Sequence, residues 1–256
     1  MKQNGALKKA GVAVAVLAVW IALWGIASAA AKKAGVSLVL PSPAAVGEAF
    51  VHLLGQKSFY LSCGRSMLRV LTGWAAGLAC GAVLSAVTFL SRPLRAFFTP
   101  ALHIVKATPV ASFIILALVV MGAGRVPAFT GALISLPVVW ANLSEGLASP
   151  DKKLLEMADA FCMPKKNLVK YIYLPALRPY FTAAATTAMG FAWKACIAAE
   201  VICTPKGSIG AGIYNAKIYL ETPELFAWTI AVILLSVLLE TLLKGLLRVS
   251  KRRDEA

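Results

Sequence analysis

Long apolar runs separated by short, basic polar segments set the pattern of this chain. A membrane-spanning helix needs about 20 mostly apolar residues, because the hydrocarbon core is about 30 Å thick and each helical residue rises about 1.5 Å. Six stretches are read as spans: Ala10–Ala31, Met67–Leu90, Ala107–Gly124, Val126–Leu143, Pro179–Ile202 and Leu225–Leu243. The third is short and carries Pro109 near its start. The fourth has Pro127 at its entry and Pro137 inside. Gly122-Ala123-Gly124 is a tight turn, so the third and fourth are predicted to form an antiparallel hairpin. Lys8-Lys9 precedes the first stretch, as in a signal peptide. Its apolar run is too long for an h-region, and Lys32-Lys33 stands where a cleavage site would fall. It is expected to be a retained helix.

Composition agrees with lipid as the solvent. Of the 256 residues 59% are hydrophobic and 14% are charged, against roughly a quarter charged in a soluble domain. The mean hydropathy is +0.77. A net charge of +15 would suggest nucleic acid in a soluble protein. Here the basic residues cluster between apolar runs, which is the membrane pattern, and no nucleic-acid partner is expected. The chain reads as one domain, residues 1–256, of an all-α integral membrane class.

Basic residues also orient the spans, since cytoplasmic loops carry excess Lys and Arg. With the N-terminus inside, the cytoplasmic segments hold most of the 26 Lys and Arg: Lys2, Lys8 and Lys9; Arg92, Arg95 and Lys106; six between Lys152 and Arg178; and five between Lys244 and Arg253. Both termini are expected in the cytoplasm of a multi-pass protein.

Within the second span, Gly73, Gly77 and Gly81 lie on one helix face. Such a strip lets backbones approach closely, either inside the bundle or at a dimer seam.

Residues 144–178 form the longest polar stretch on the cytoplasmic side. Leu154, Leu155, Ala158 and Phe161 fall near one face at helical spacing, with Lys152, Lys153, Glu156 and Asp159 toward the other. Pro164 disfavours a helical Met163. A second helical run, Lys165 to Tyr173, is expected to be closed by Pro175. Periodicity alone leaves two readings open: the pair packs on its own bundle or lies at lipid headgroups, or it docks on a partner.

This loop resembles the signature of the permeases of bacterial ATP-binding-cassette importers, which reads Glu-Ala-Ala, three residues, Gly, nine residues, Ile-x-Leu-Pro. Glu156 and Ala158 occupy the first and third positions, and Phe161 precedes Cys162, which stands in place of the glycine. Ile172, Leu174 and Pro175 follow in register. Leu40-Pro41-Ser42-Pro43 with Val46 and Phe50, Ser62 and Arg65 with Gly73, Ala192-Trp193 with Ala199-Glu200, and Gly207-Ser208-Ile209-Gly210 are similar to the nitrate, sulfonate and taurine importer permeases. The resemblance implies a six-helix type I importer permease in a bacterial cytoplasmic membrane. It implies a second permease copy, an ATPase dimer that holds ATP and Mg, an extracytoplasmic substrate-binding protein, and alternating access. The permease itself is expected to bind no cofactor. At Cys162, whose Cβ disfavours positive φ, negative φ is expected, with Pro164 supplying the break.

Lys194 is the one Lys, Arg, Asp or Glu well inside a predicted span. A membrane-buried ionisable residue is a functional candidate by default. It could attract an anionic substrate such as a sulfonate or carboxylate, or instead pair with a carbonyl or another helix, or snorkel. Trp193 and Glu200 are candidates for the same substrate pathway, Glu200 as a structural or gate-forming group. Gly207, Gly210 and Gly212 follow no strand and precede no Lys-Ser/Thr, so they make no phosphate loop. Without a Walker-type sequence the chain is expected not to hydrolyse ATP. His52 and His103 are isolated, the five cysteines fit no zinc or disulfide framework, and no catalytic or metal site is expected. A secondary transporter would usually show acidic or histidine residues in its spans. A membrane-embedded enzyme would need a converging nucleophile, base or metal set.

Overall fold

The computed structural model describes residues 2–35 and 38–254, with the side chains of 2–10, 13, 14 and 248–254 outside the description. Of the basic side chains counted in the charge argument, Lys2, Lys8, Lys9, Arg248, Lys251, Arg252 and Arg253 therefore lie outside the described residues. All regular structure among the described residues is helical: α1 (Lys2–Lys33), α2 (Pro43–Leu54), α3 (Lys57–Leu90), α4 (Arg92–Ala107), α5 (Val110–Met121), α6 (Val126–Ala148), α7 (Lys152–Ala160), α8 (Lys165–Leu168), a π turn (Val169–Tyr173), α9 (Leu174–Cys203), α10 (Ile209–Ile218) and α11 (Thr222–Asp254). Five segments are long and apolar enough to cross a membrane, or six if the bent pair α4 and α5 counts as one span.

The third predicted span is the one the structure changes. It is not a continuous helix over Ala107–Gly124. α5 has 12 residues, about 18 Å of rise, and α4 meets it at 101°. Pro109 causes the break: it cannot donate to the helix ladder, and it biases Thr108 to extended backbone (φ −74°, ψ 133°). The Gly122 turn after α5 has φ +76°, and α5 packs back on α6 as the hairpin expectation requires.

Residues cluster into two units. The first comprises Met1–Tyr60 and Gly212–Val232. There Ser42 caps α2 by accepting from Ala45 N–H, with Pro43 in the first turn. Phe59 packs on Trp228 with ring centroids 5.1 Å apart.

The second unit, Leu61–Ala211 and Ile233–Ala256, carries the functional candidates. Its centre is the packing of α3, α6 and α9. Hydrophobic transfer does little to join helices in lipid, so close van der Waals contact and hydrogen bonds must. Gly73, Gly77 and Gly81 supply the contact. A Cβ on Gly73 would strike Ala128 O, one on Gly77 would lie 2.6 Å from Ala132 O, and one on Gly81 would lie 2.7 Å from Val139 Cβ. The strip is thus filled by α6 of the same chain, which decides between the two readings of it. On α9, Ala184, Ala188, Ala192, Cys196 and Ala199 are buried, one small residue per turn. Trp74 Nε1 donates to Ala185 O at 3.0 Å, and Trp140 Nε1 donates to Thr88 Oγ1 at 2.9 Å.

Candidate functional site: an exposed loop helix and a buried ion pair

Helix α7 begins where the sequence stops favouring α6. Asp151 is the N-cap: its carboxylate accepts from Lys153 N–H at 2.9 Å. Ala158 is buried and Leu155 half-buried, so that edge packs on the chain. Leu154, Met157 and Phe161 are 46%, 46% and 79% exposed. They recur at i, i+3 and i+7, one stripe on the helix. The predicted face is therefore split: Ala158 and Leu155 are covered, whereas Leu154 and Phe161 are not. Glu156 is exposed.

The end of α7 corrects the expectation for Cys162. Its φ is +47°, in the left-handed region. Cys162 N–H donates to Asp159 O and Met163 N–H to Ala158 O, both at 2.9 Å. These two bonds form a Schellman motif, which needs a left-handed residue after the cap residue Phe161. The two bonds satisfy carbonyls that would otherwise be orphaned, and they hold the cysteine where glycine would sit at less cost. Pro164 does not replace that turn. It follows it and starts α8, accepting from Asn167 N–H at 2.8 Å.

Pro175 does not close the second helical run either. α8, the π turn and α9 run on as one apolar helix from Lys165 to Cys203, so the fifth span starts ahead of Pro179. At the π turn Leu174 N–H reaches back to Val169 O, five residues away. A proline ring clashes with the carbonyl four residues earlier in a regular helix. The widened turn gives Pro175 room, a recognised way of absorbing an irregularity. Ile172 is half-buried, and Leu174 and Pro175 are exposed.

At the other end of α9 lies a polar cluster that the sequence left scattered. Glu200 is 1% exposed. Arg69 Nη1 donates to its Oε1 at 2.9 Å, and Ser66 Oγ donates to its Oε2 at 2.6 Å. Gly210 N–H, in the first turn of α10, also donates to Oε2, at 3.2 Å. Ile209 N–H donates to Ser66 Oγ at 3.0 Å. The carboxylate thus faces an Arg and a helix N-terminus, both favourable to negative charge. A side chain at Gly210 would strike the Glu200 backbone, and one at Gly207 (φ +62°) would strike Arg65. Glu200, expected as a structural or gate-forming group, is thus buried within this cluster. Arg69 and Ser66 are residues that sequence reasoning missed. Their signal was Ser62, Ser66 and Arg69 at i, i+4 and i+7 in an apolar helix.

The remaining candidates separate. Trp193 is 2% exposed and its Nε1 has no hydrogen-bond partner among the described residues, so it lines no open path in this structure. Lys194, its neighbour, is exposed and makes no ion pair among the described residues. It shares an exposed face of α9 with Thr187, Gly190 and Ala198.

Residues 75–253 match the model of the binding-protein-dependent transport system inner membrane component family. The chain belongs to that family. It is the permease component of a binding-protein-dependent ABC importer, a multi-pass protein of the cytoplasmic membrane, and the ATPase site belongs to a separate subunit. A protein of Brucella melitensis assigned as an ABC transporter permease is 25% identical over 210 residues, 82% of this chain and 85% of that one. A protein of Escherichia coli assigned as an aliphatic sulfonates transport permease is 27% identical over 219 residues, 85% of this chain and 81% of that one. The bicarbonate transport system permease protein of Synechococcus elongatus is 26% identical over 154 residues, 59% of this chain and 55% of that one. A solved amino acid ABC transporter structure superposes with a TM-score of 0.58 at 17% identity, covering 73% of this chain and 90% of that chain. It establishes the type I permease fold.

Proposed function

We propose that this permease imports a small anion of the sulfonate, nitrate or bicarbonate kind by alternating access, driven through α7 by a partner ATPase. The observation that carries the reading is the stripe of Leu154, Met157 and Phe161. It is an apolar surface in a polar loop, on a helix closed by a Schellman motif, and the described residues leave Leu154 and Met157 about half open and Phe161 largely so. Two permease copies each seat this helix in a groove of one ATPase subunit. ATP, with Mg, binds that subunit. Closure of the ATPase dimer draws the two helices together and shifts the bundle between two states. Glu156, Ala158, Phe161 and Cys162 form the docking end; Ile172, Leu174 and Pro175 join it to α9. Both chain termini lie on the ATPase side, and a binding protein delivers solute to the other. Lys194 supplies positive charge on the solute path, with Thr187 and Gly190 leaving space beside it. The relatives that carry sulfonate and bicarbonate in their names support an anion.

Co-purification with the ATPase tests the docking. Phe161→Ala removes the most exposed anchor and is expected to cost about 2 kcal/mol or more, roughly a 30-fold loss of affinity, as for a central aromatic anchor. Unchanged retention of the ATPase by Phe161→Ala and Leu154→Ala together would overturn the assignment.

A further inference from the structure

Helix α4 is explained neither by spanning nor by docking. Its 16 residues rise about 24 Å, include Arg92, Arg95, His103 and Lys106, and contain no acidic group. It packs on α6 through one edge, with Leu102 buried. Arg95 and Lys106 flank that edge, seven residues before and four after Leu102, and an apolar face remains open. Leu94, Phe97, Ala101 and Ile104 recur at i, i+3, i+7 and i+10. Phe97 is 70% and Ile104 64% exposed. Arg92, Arg95 and Lys106, all exposed, occupy nearly the opposite side of the helix wheel.

The geometry points to α4 as a membrane-surface helix that lies on anionic phospholipid at one face of the bilayer. The 101° angle to α5, which is packed among the spans, turns α4 out of their direction. A helix with one apolar and one basic face, set across a span, has one low-energy position in a bilayer. The apolar stripe dips into the acyl boundary and the bases stay at the headgroup level. Three exposed cations on a helix without an acidic residue complement a negatively charged leaflet and attract it. Pro100, exposed within the helix, adds no donor that lipid would leave unpaired. The occupant is lipid rather than protein because the apolar and basic faces are opposed: a flat bilayer boundary satisfies both at once. The helix would lie there whatever solute the permease carries.

The test uses the assembled importer in nanodiscs. Nitroxide labels are placed singly at Phe97→Cys, Ile104→Cys and His103→Cys, with exposed Cys80 and Cys162 replaced by Ser and Gly. Accessibility to oxygen and to a nickel chelate reports depth. The labels at 97 and 104 are expected to favour oxygen severalfold over nickel, and the label at 103 to show the reverse. Phosphatidylglycerol discs should draw the 97 label deeper than phosphatidylcholine discs do. The triple variant Arg92→Gln, Arg95→Gln, Lys106→Gln should erase that difference. Equal nickel access at 97 and 103 would overturn the proposal. So would a 97 label that is shielded only when the ATPase is present, which would make this face a protein interface. Depth independent of lipid charge would refute the anionic preference.

Discussion

Glu200 on α9 and Arg69 on α3 stand 131 residues apart in sequence and meet at 2.9 Å. Removing one partner of a buried pair leaves the other uncompensated, at about 3–5 kcal/mol. Arg69 keeps 19% side-chain exposure, so its loss belongs at the lower end. Arg69→Met and Glu200→Gln are each expected to lower the thermal unfolding midpoint in detergent clearly. The double variant should lose less than the sum of the two. Additive losses would show that the two residues act separately.

Cys162→Gly is expected to stabilise the loop. A Cβ in the left-handed region costs about 1–2 kcal/mol. The added freedom that glycine gives the unfolded chain returns about 0.4–1 kcal/mol. The net gain is about 1 kcal/mol. It should appear as slower amide exchange at Met163, whose N–H closes the Schellman motif. Cys162→Val should speed that exchange.

Gly77→Ala is expected to destabilise by about 1–3 kcal/mol, the usual cost of overpacking, because its Cβ would press on Ala132 and Ser135. Gly64→Ala in the same helix meets nothing within 4 Å and gains up to about 1 kcal/mol of helix propensity. Opposite shifts of the unfolding midpoint check the pair; two equal shifts would mean that α6 yields at Gly77.

Lys194→Met is expected to reduce anion import about tenfold, the ratio that about 1.4 kcal/mol of lost attraction gives, while the ATPase stays bound. Lys194→Arg should restore most of it. Unchanged uptake of every accepted anion by Lys194→Met would remove Lys194 from the solute path.

The spans were legible because lipid demands apolar length, and no tertiary contact can substitute for it. What was not legible has local causes. Pro109 looked like the start of a span, yet whether a proline breaks or merely opens a helix depends on what packs beyond it. Here α5 packs on α6 and α9, and α4 packs on α6 at 101° to α5. Pro175 looked like a stop; a widened turn accommodated it. At Cys162 a single-residue preference of about 1–2 kcal/mol gave way to two backbone hydrogen bonds. The signature spacing carried the position of the turn correctly, whereas the side chain at its apex misled. The Glu200 cluster joins residues from α3, α9 and α10, and no short-range pattern pairs them.

Continuity from Lys165 to Cys203 gives α9 a mechanical character. Its irregularities, the π turn and Pro179, both fall within the first turns. The stretch from Ala184 to Glu200 is regular, sealed by small residues against α6, and tied to the first turn of α10 at its far end. The irregular turns thus stand at the loop end and the regular stretch at the other. Under the proposed coupling, bending falls at the loop end, and the regular stretch moves as one piece with the tethered turn of α10.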